Sequence, residues 1–444
     1  MDVELQILKH LQRDAQPTIS IIDQYCEAYN EIFPEVRSYE CFKYLHQGII
    51  SPIKRKSLPE IAKVVGINSS QSLHHFVANS PWSVAELKKS RLTLTLEALK
   101  GETITVVVDE TGDRKKGKKT DYVAKQYLGS VGKIDNGIVS VNAYGIYENI
   151  TFPLIFKVFK PKGTLKPEDK YRTKIELASS IIKELVEFGF NIELVLADSL
   201  YGEASSFIKS LNKYKIPWVL AIRSNHGVWM PSGQKVRANK WCKFTRTFSN
   251  QKSETRYIRE IIYGKRSSIT YWELTTDPET MPTNSTSFVM TNIQEKRSKL
   301  KKILGNLYGL RTRVEYGFRQ YKQELGWTDY RFTNFSEINK WWEIIFCAYL
   351  MITLNPQAFL SLNSNNVPQS EVSNTSIDWT SHPQWDSQTG WKNVLNNVRL
   401  LIQPILLLWL VFPWLEVFPN SFLLLGFHNL IDSINQFQPL TLSG

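Results

Sequence analysis

Two short runs of strand character, each running into an aspartate, constrain this chain most. Residues 103–108 read TITVVV and lead into Asp109. The run is β-branched throughout, which suits a pleated, buried strand. Residues 193–197 read ELVLA and lead into Asp198. Between them, residues 173–190 carry apolar positions at helical spacing. Thr173 and Glu176 make a capping box, and Gly189 is placed to end the helix. Residues 138–147, 150–159 and 218–222 are further strand candidates. The expectation is a mixed α/β sheet with two carboxylates at the C-terminal ends of neighbouring strands.

The remaining segments differ in texture. Residues 1–100 read as mainly helical. Within them, residues 57–78 have the form of a helix-turn-helix, with Ile61, Ala62, Val64 and Val65 in a first helix and Gly66 in the turn. Ser69 or Ser70 caps a second helix that presents Gln71, His74 and His75. An ordinary helical hairpin fits the same pattern. Residues 224–292 read as a β-rich insertion, with strands at 268–274 and 287–291. Residues 293–354 turn helical again, and Asn334 with Glu337 suits a cap for the helix carrying Trp341 and Trp342. Residues 361–390, rich in Ser, Asn, Thr and Gln, read as a linker or long loop.

Charge points to a polyanion. The formal net charge is +12 over 444 residues. The tail from residue 355 holds two basic residues, Lys392 and Arg399, against five acidic ones, so the excess lies in the first three quarters. Two stretches concentrate it. Residues 111–125 hold Arg114, Lys115, Lys116, Lys118, Lys119 and Lys125 against Asp113 and Asp121. Residues 296–322 hold nine basic residues against Glu315. The four cysteines form no CxxC pair, so neither a zinc site nor a disulfide framework is indicated. The polar, mixed-charge N-terminus does not read as a signal peptide. The uncharged stretch 400–415 falls short of the roughly 20 residues that a membrane span needs. Pro404 and Pro413 interrupt it, so it reads as a buried C-terminal helix.

Carboxylates converging from separate elements suit hard divalent cations. Two such ions about 3.5–4 Å apart can serve in-line displacement at phosphorus. Asp109 and Asp198 meet that need from adjacent strands. A third carboxylate has to come from a helix, and periodicity alone does not select it.

Three blocks resemble the DDE transposases of bacterial insertion sequences. The first is VVVDETGDRKKGKKTDYVAKQYLGSVGKIDNG at 106–137. The second is VLADSLYGE at 195–203, where the family commonly shows Asp-Ser-Gly-Tyr-Gly and Leu200 replaces the middle glycine. The third is YGLRTRVEYGFRQYK at 308–322, which fits the signature Tyr-x2-Arg-x3-Glu-x6-Lys through Tyr308, Arg311, Glu315 and Lys322. On one continuous helix these four share a face.

The resemblance implies an RNase H-like catalytic core at 101–223 and 293–354, interrupted by the β insertion. It implies a helical DNA-binding region at 1–100 and a linker with an apolar helical C-terminal region at 355–444. It implies Asp109, Asp198 and Glu315 as ligands of two Mg²⁺ ions, with Mn²⁺ as a substitute. Tyr308, Arg311, Lys322, Arg313, Arg319 and the 111–125 cations would then contact DNA. The expected activity is cut-and-paste transposition through a hairpin intermediate, on terminal inverted repeats and target DNA, by a homodimer in the cytoplasm at the nucleoid, with no membrane role. Trp229 and Trp272 are candidates to stack on a flipped base; filling the insertion's own core is the alternative for either.

Overall fold

The computed structural model describes residues 13–129, 131–148, 150–228, 230, 232–247, 253–264, 268–354, 382–386 and 390–435. It divides into two compact units, Leu99–Phe318 and a helical unit formed by Met1–Ala98 with Arg319–Gly444.

The first unit is built on an 11-stranded sheet. Its strands are β1 (Ile104–Arg114), β2 (Ala124–Leu128), β3 (Lys133–Tyr147), β4 (Ile150–Phe159), β5 (Ile192–Ala197), β6 (Trp218–Ile222), β7 (Arg237–Ala238), β8 (Cys242–Thr247), β9 (Ser253–Ile262), β10 (Thr270–Thr275) and β11 (Ser287–Thr291). The path β2-β3-β1-β5-β6-β11-β10-β9-β7 runs through it, with β4 on β3 and β8 on β9. β1, β3 and β4 form an antiparallel meander. β5 and β6 then add in parallel to β1. The 173–190 pattern appears as the helix Lys174–Phe188 with the Thr173–Glu176 capping box formed, and it ends at left-handed Gly189.

One expectation changes here. β1 does not stop at Asp109; it runs on to Arg114, paired with β3 throughout. Only its parallel ladder with β5 stops, at Val108 opposite Ala197. β11 returns antiparallel beside β6, so the insertion extends the central sheet. Among its described residues there is no helix, as the sequence led us to expect.

In the helical unit, Leu58–Val64 and Gln71–Ala78 form where the helix-turn-helix pattern fell. Gln71, His74 and His75 are exposed, and Leu73, Phe76 and Val77 face inward. Gly66 sits in the turn at φ +74°, and a Cβ there would overlap the Trp409 ring. That position demands glycine twice over, for its backbone and for its space. The helix Phe335–Thr353 is buried along most of its length. Its Glu343 meets Arg91 at 2.6 Å, a fully buried ion pair. Trp341 and Trp342 are core residues, and Trp342 stacks on Trp327 at 4.4 Å.

The C-terminal stretch departs from expectation. One helix runs unbroken over Trp391–Val417, with Pro404 and Pro413 inside it. By length and composition alone it could cross a membrane. Its apolar window is 28% buried, so it is not the buried helix anticipated. Val394, Leu395, Val398 and Ile402 pack inward, while Leu407, Leu410 and Trp414 are exposed.

Candidate active site

Register brings the two aspartates together. Val108 and Ala197 are the last partners of the parallel ladder, so Asp109 and Asp198 are the next residue on each strand. Asp109 points from a continuing strand and accepts the Glu110 backbone N–H at 2.8 Å. Asp198 leaves its strand at once. It accepts the Leu200 N–H at 2.9 Å and caps the short turn Ser199–Gly202. That turn lies tight on β6, where a Cβ on Gly202 would meet the Ala221 carbonyl oxygen at 1.9 Å. Tyr201 of the same turn is fully buried near Asp109, Asp198 and Glu110. Sequence reasoning assigned Tyr201 no role, although the Tyr-Gly pair was visible as part of a motif.

Burial pushes the Asp109 carboxyl up to about 7, and the neighbouring Asp198 adds to that. Arg311 works the other way, with Nη1 3.4 Å from Asp109 Oδ2. Its guanidinium also lies 5.9 Å from the centre of the Tyr308 ring. A buried carboxylate beside a second one, both oxygen donors, is a setting that a hard cation relieves.

The signature run is not one regular helix. Tyr308 closes the helix Arg297–Gly309, Arg311 sits in a 3₁₀ turn (Leu310–Thr312), and Glu315 lies on the helix Arg313–Arg319. Lys322 falls in a π-helical segment, Gln320–Glu324, which belongs to the helical unit. The 3₁₀ turn rotates about 120° per residue against about 100° for an α-helix, so spacing on one continuous α-helix does not describe this run. Glu315 is exposed, and its charge is felt at Arg311. Among the described residues no three acidic, His or Cys side chains are close enough to share one ion. Asp109 and Asp198 with Arg311 are therefore brought together, and Glu315 stands one step outside them.

A cleft of about 510 Å³ opens beside Asp198, lined also by Ser199, Ile222, Met281, Phe288, Tyr308 and Arg311. Further out, Arg114, Lys116, Lys118, Lys119 and Lys125 are exposed. Arg114 pairs with Asp135, and half-buried Lys115 pairs with Asp113. Arg313 donates to the Glu148 carbonyl oxygen at 3.0 Å, and Arg319 is exposed. Trp272 is fully buried in β10 with its Nε1–H on Thr270 Oγ1, so in this structure it is core and cannot stack on a base. Trp229 lies outside the described residues.

Residues 31–243 match the family model "DDE superfamily endonuclease", and residues 169–351 match "Transposase DDE domain". Over 327 residues the chain is 52% identical to "Probable transposase for insertion sequence element IS701" of Microchaete diplosiphon, covering 73% of this chain and 85% of that protein. The chain belongs to the DDE transposases of insertion sequences, which act on DNA. That family normally uses divalent metal ions. The NurA nuclease from Sulfolobus solfataricus aligns at 11% identity over 51% of this chain and 84% of its own, with a TM-score of 0.23. A value that low says nothing about the fold.

Proposed function

We propose that this protein is a cut-and-paste transposase that binds the terminal inverted repeats of its own element and excises it through a hairpin intermediate before joining it to target DNA. The observation that carries this reading is the β1–β5 register, which sets Asp109 beside Asp198 with Arg311 facing them. The sheet order supports an RNase H-like core: β4, β3 and β1 antiparallel, then β5 and β6 parallel.

Asp109, Asp198 and Glu315 would hold two divalent ions, Mg²⁺ in the cell and Mn²⁺ as a substitute. Ions held by these carboxylates would supply the charge that in-line displacement at phosphorus needs on its attacking and leaving oxygens. Glu315, on the Arg313–Arg319 helix, would complete the set. Arg311 offsets carboxylate charge and orients the scissile phosphate, held from behind by the Tyr308 ring. The exposed cations from the end of β1 to the start of β2 (114–125) hold flanking duplex by its phosphates, as do Arg313, Arg319 and Lys322. Arg114, the last residue of β1, lies about 16 Å along the strand from Asp109, at about 3.3 Å per residue. The exposed face Gln71, His74 and His75 reads the repeats. A homodimer holds the two ends.

The test is excision. Full-length protein and Mg²⁺ are incubated with a plasmid carrying the genomic DNA that flanks this gene. Double-strand cuts at both ends, with hairpin-capped fragments on a denaturing gel, are the expected result. Nicking without joined product would leave a nuclease that does not transpose.

A further inference from the structure

Strand β8 reads CKFTRT, and side chains two apart on a strand share a face. Phe244 and Arg246 are such a pair, and both are buried, at 9% and 8% exposure. Facing them, the helix Arg297–Gly309 presents Gly305 and Gly309, four apart and so on one side. A Cβ on Gly305 would stand 2.3 Å from the Phe244 ring, and one on Gly309 would stand 2.9 Å from Arg246 Nε. The two glycines let the insertion strand seat directly on the helix backbone. Arg246 Nη2 then donates to the Gly309 carbonyl oxygen at 3.0 Å and to Thr312 Oγ1 at 3.2 Å. Thr312 Oγ1 itself donates to the Gly309 carbonyl oxygen at 2.9 Å.

We infer that Arg246 is a positioning residue of the active site: from the β insertion it clamps both ends of the 3₁₀ turn that aims Arg311 at Asp109. Arg246 adds a charged donor to the Gly309 carbonyl, which already accepts from Thr312 Oγ1. By also holding Thr312, it fixes the turn on either side of Arg311. The insertion thereby sets the direction in which Arg311, and Glu315 just beyond it, leave the helix. The inference rests on the assignment of Arg311 to the catalytic site.

The experiment compares full-length wild type, Arg246→Ala, Arg246→Lys, Gly309→Ala, the Arg246→Ala/Gly309→Ala double variant and Arg311→Ala. The probe is a supercoiled plasmid carrying the DNA flanking this gene, with Mg²⁺. Arg246→Ala should slow cleavage by roughly 10- to 100-fold, the scale of a misplaced catalytic group, while plasmid affinity stays within about twofold. Arg246→Lys, which keeps the charge without the forked donors, should recover only part of the rate. Gly309→Ala should cause a similar loss by displacing the guanidinium, and should add little to Arg246→Ala. Hydrogen exchange on the DNA-free protein should rise at residues 310–316 and stay unchanged at 104–109. Wild-type cleavage by Arg246→Ala overturns the inference. So does a parallel loss of affinity and rate, which would make Arg246 a DNA-binding residue, and so does additivity in the double variant. If Arg246→Ala does not fold, Gly309→Ala with its exchange pattern decides. Full-rate cleavage by Arg311→Ala would instead overturn the active-site reading itself.

Discussion

Arg311 Nη1 lies 3.4 Å from Asp109 Oδ2, joining a 3₁₀ turn to the central strand of the sheet across 202 residues of sequence. Removing that cation should disable catalysis more than binding. Arg311→Ala is expected to lower the rate of strand cleavage by roughly 10²- to 10³-fold, the range for loss of one preorganised charge donor. Single-turnover cleavage measured beside plasmid affinity checks it.

His46 gives the helical unit an acid-sensitive point. Its Nδ1 bonds the Phe42 carbonyl oxygen at 2.8 Å, and Nε2 is buried without a partner. Burial lowers its pKa from the ordinary 6.5 to about 4. The unfolded chain therefore binds the extra proton first as pH falls. The stabilisation is complete above pH 6.5 and is lost progressively towards pH 4, by about 3 kcal/mol. Urea midpoints across that window should fall less steeply for His46→Phe than for wild type.

Arg91 and Glu343 meet at 2.6 Å with side chains 0% and 2% exposed. Arg91→Met alone leaves a buried carboxylate and should cost about 3–5 kcal/mol of stability. The double variant Arg91→Met/Glu343→Leu should recover most of it. Chemical denaturation of the four proteins of this cycle is the check.

Lys116, Lys118 and Lys119 project from the loop after β1 and are exposed. Replacing all three with Ala should weaken duplex binding whatever its sequence. It should also flatten the plot of log affinity against log salt by roughly 0.9 for each phosphate that is no longer neutralised. An unchanged slope would remove this loop from the DNA surface.

The apolar strands were legible because burial on both faces leaves an unmistakable run: β6 and β11 fall where the pattern placed them, and β5 begins one residue earlier. β1 was cut short because its second half, Asp109–Arg114, is polar, and only the antiparallel partner β3 keeps it in the sheet. β8 and β9 mix charged and apolar residues without a clean alternation, so the β-rich reading of 224–292 named neither as a strand. The signature motif identified Arg311 and Glu315, but helical spacing cannot reveal the 3₁₀ turn or the π segment within the run. Pro404 and Pro413 read as breaks. Each removes one N–H from the ladder, and the helix continues through both while its inner face stays packed. Arg246 had no signal, since its role depends on two glycines 59 and 63 positions away in sequence.

The central claim is that Asp109, Asp198 and Glu315 carry the chemistry. Its most direct test is Mg²⁺-dependent nicking of the flanking-DNA plasmid by Asp109→Asn, Asp198→Asn and Glu315→Gln, with plasmid binding measured in parallel. The account predicts loss of cleavage by at least roughly 10³-fold in each variant, with binding retained, as expected when a metal ligand is removed. Wild-type cleavage by any one of the three would contradict it.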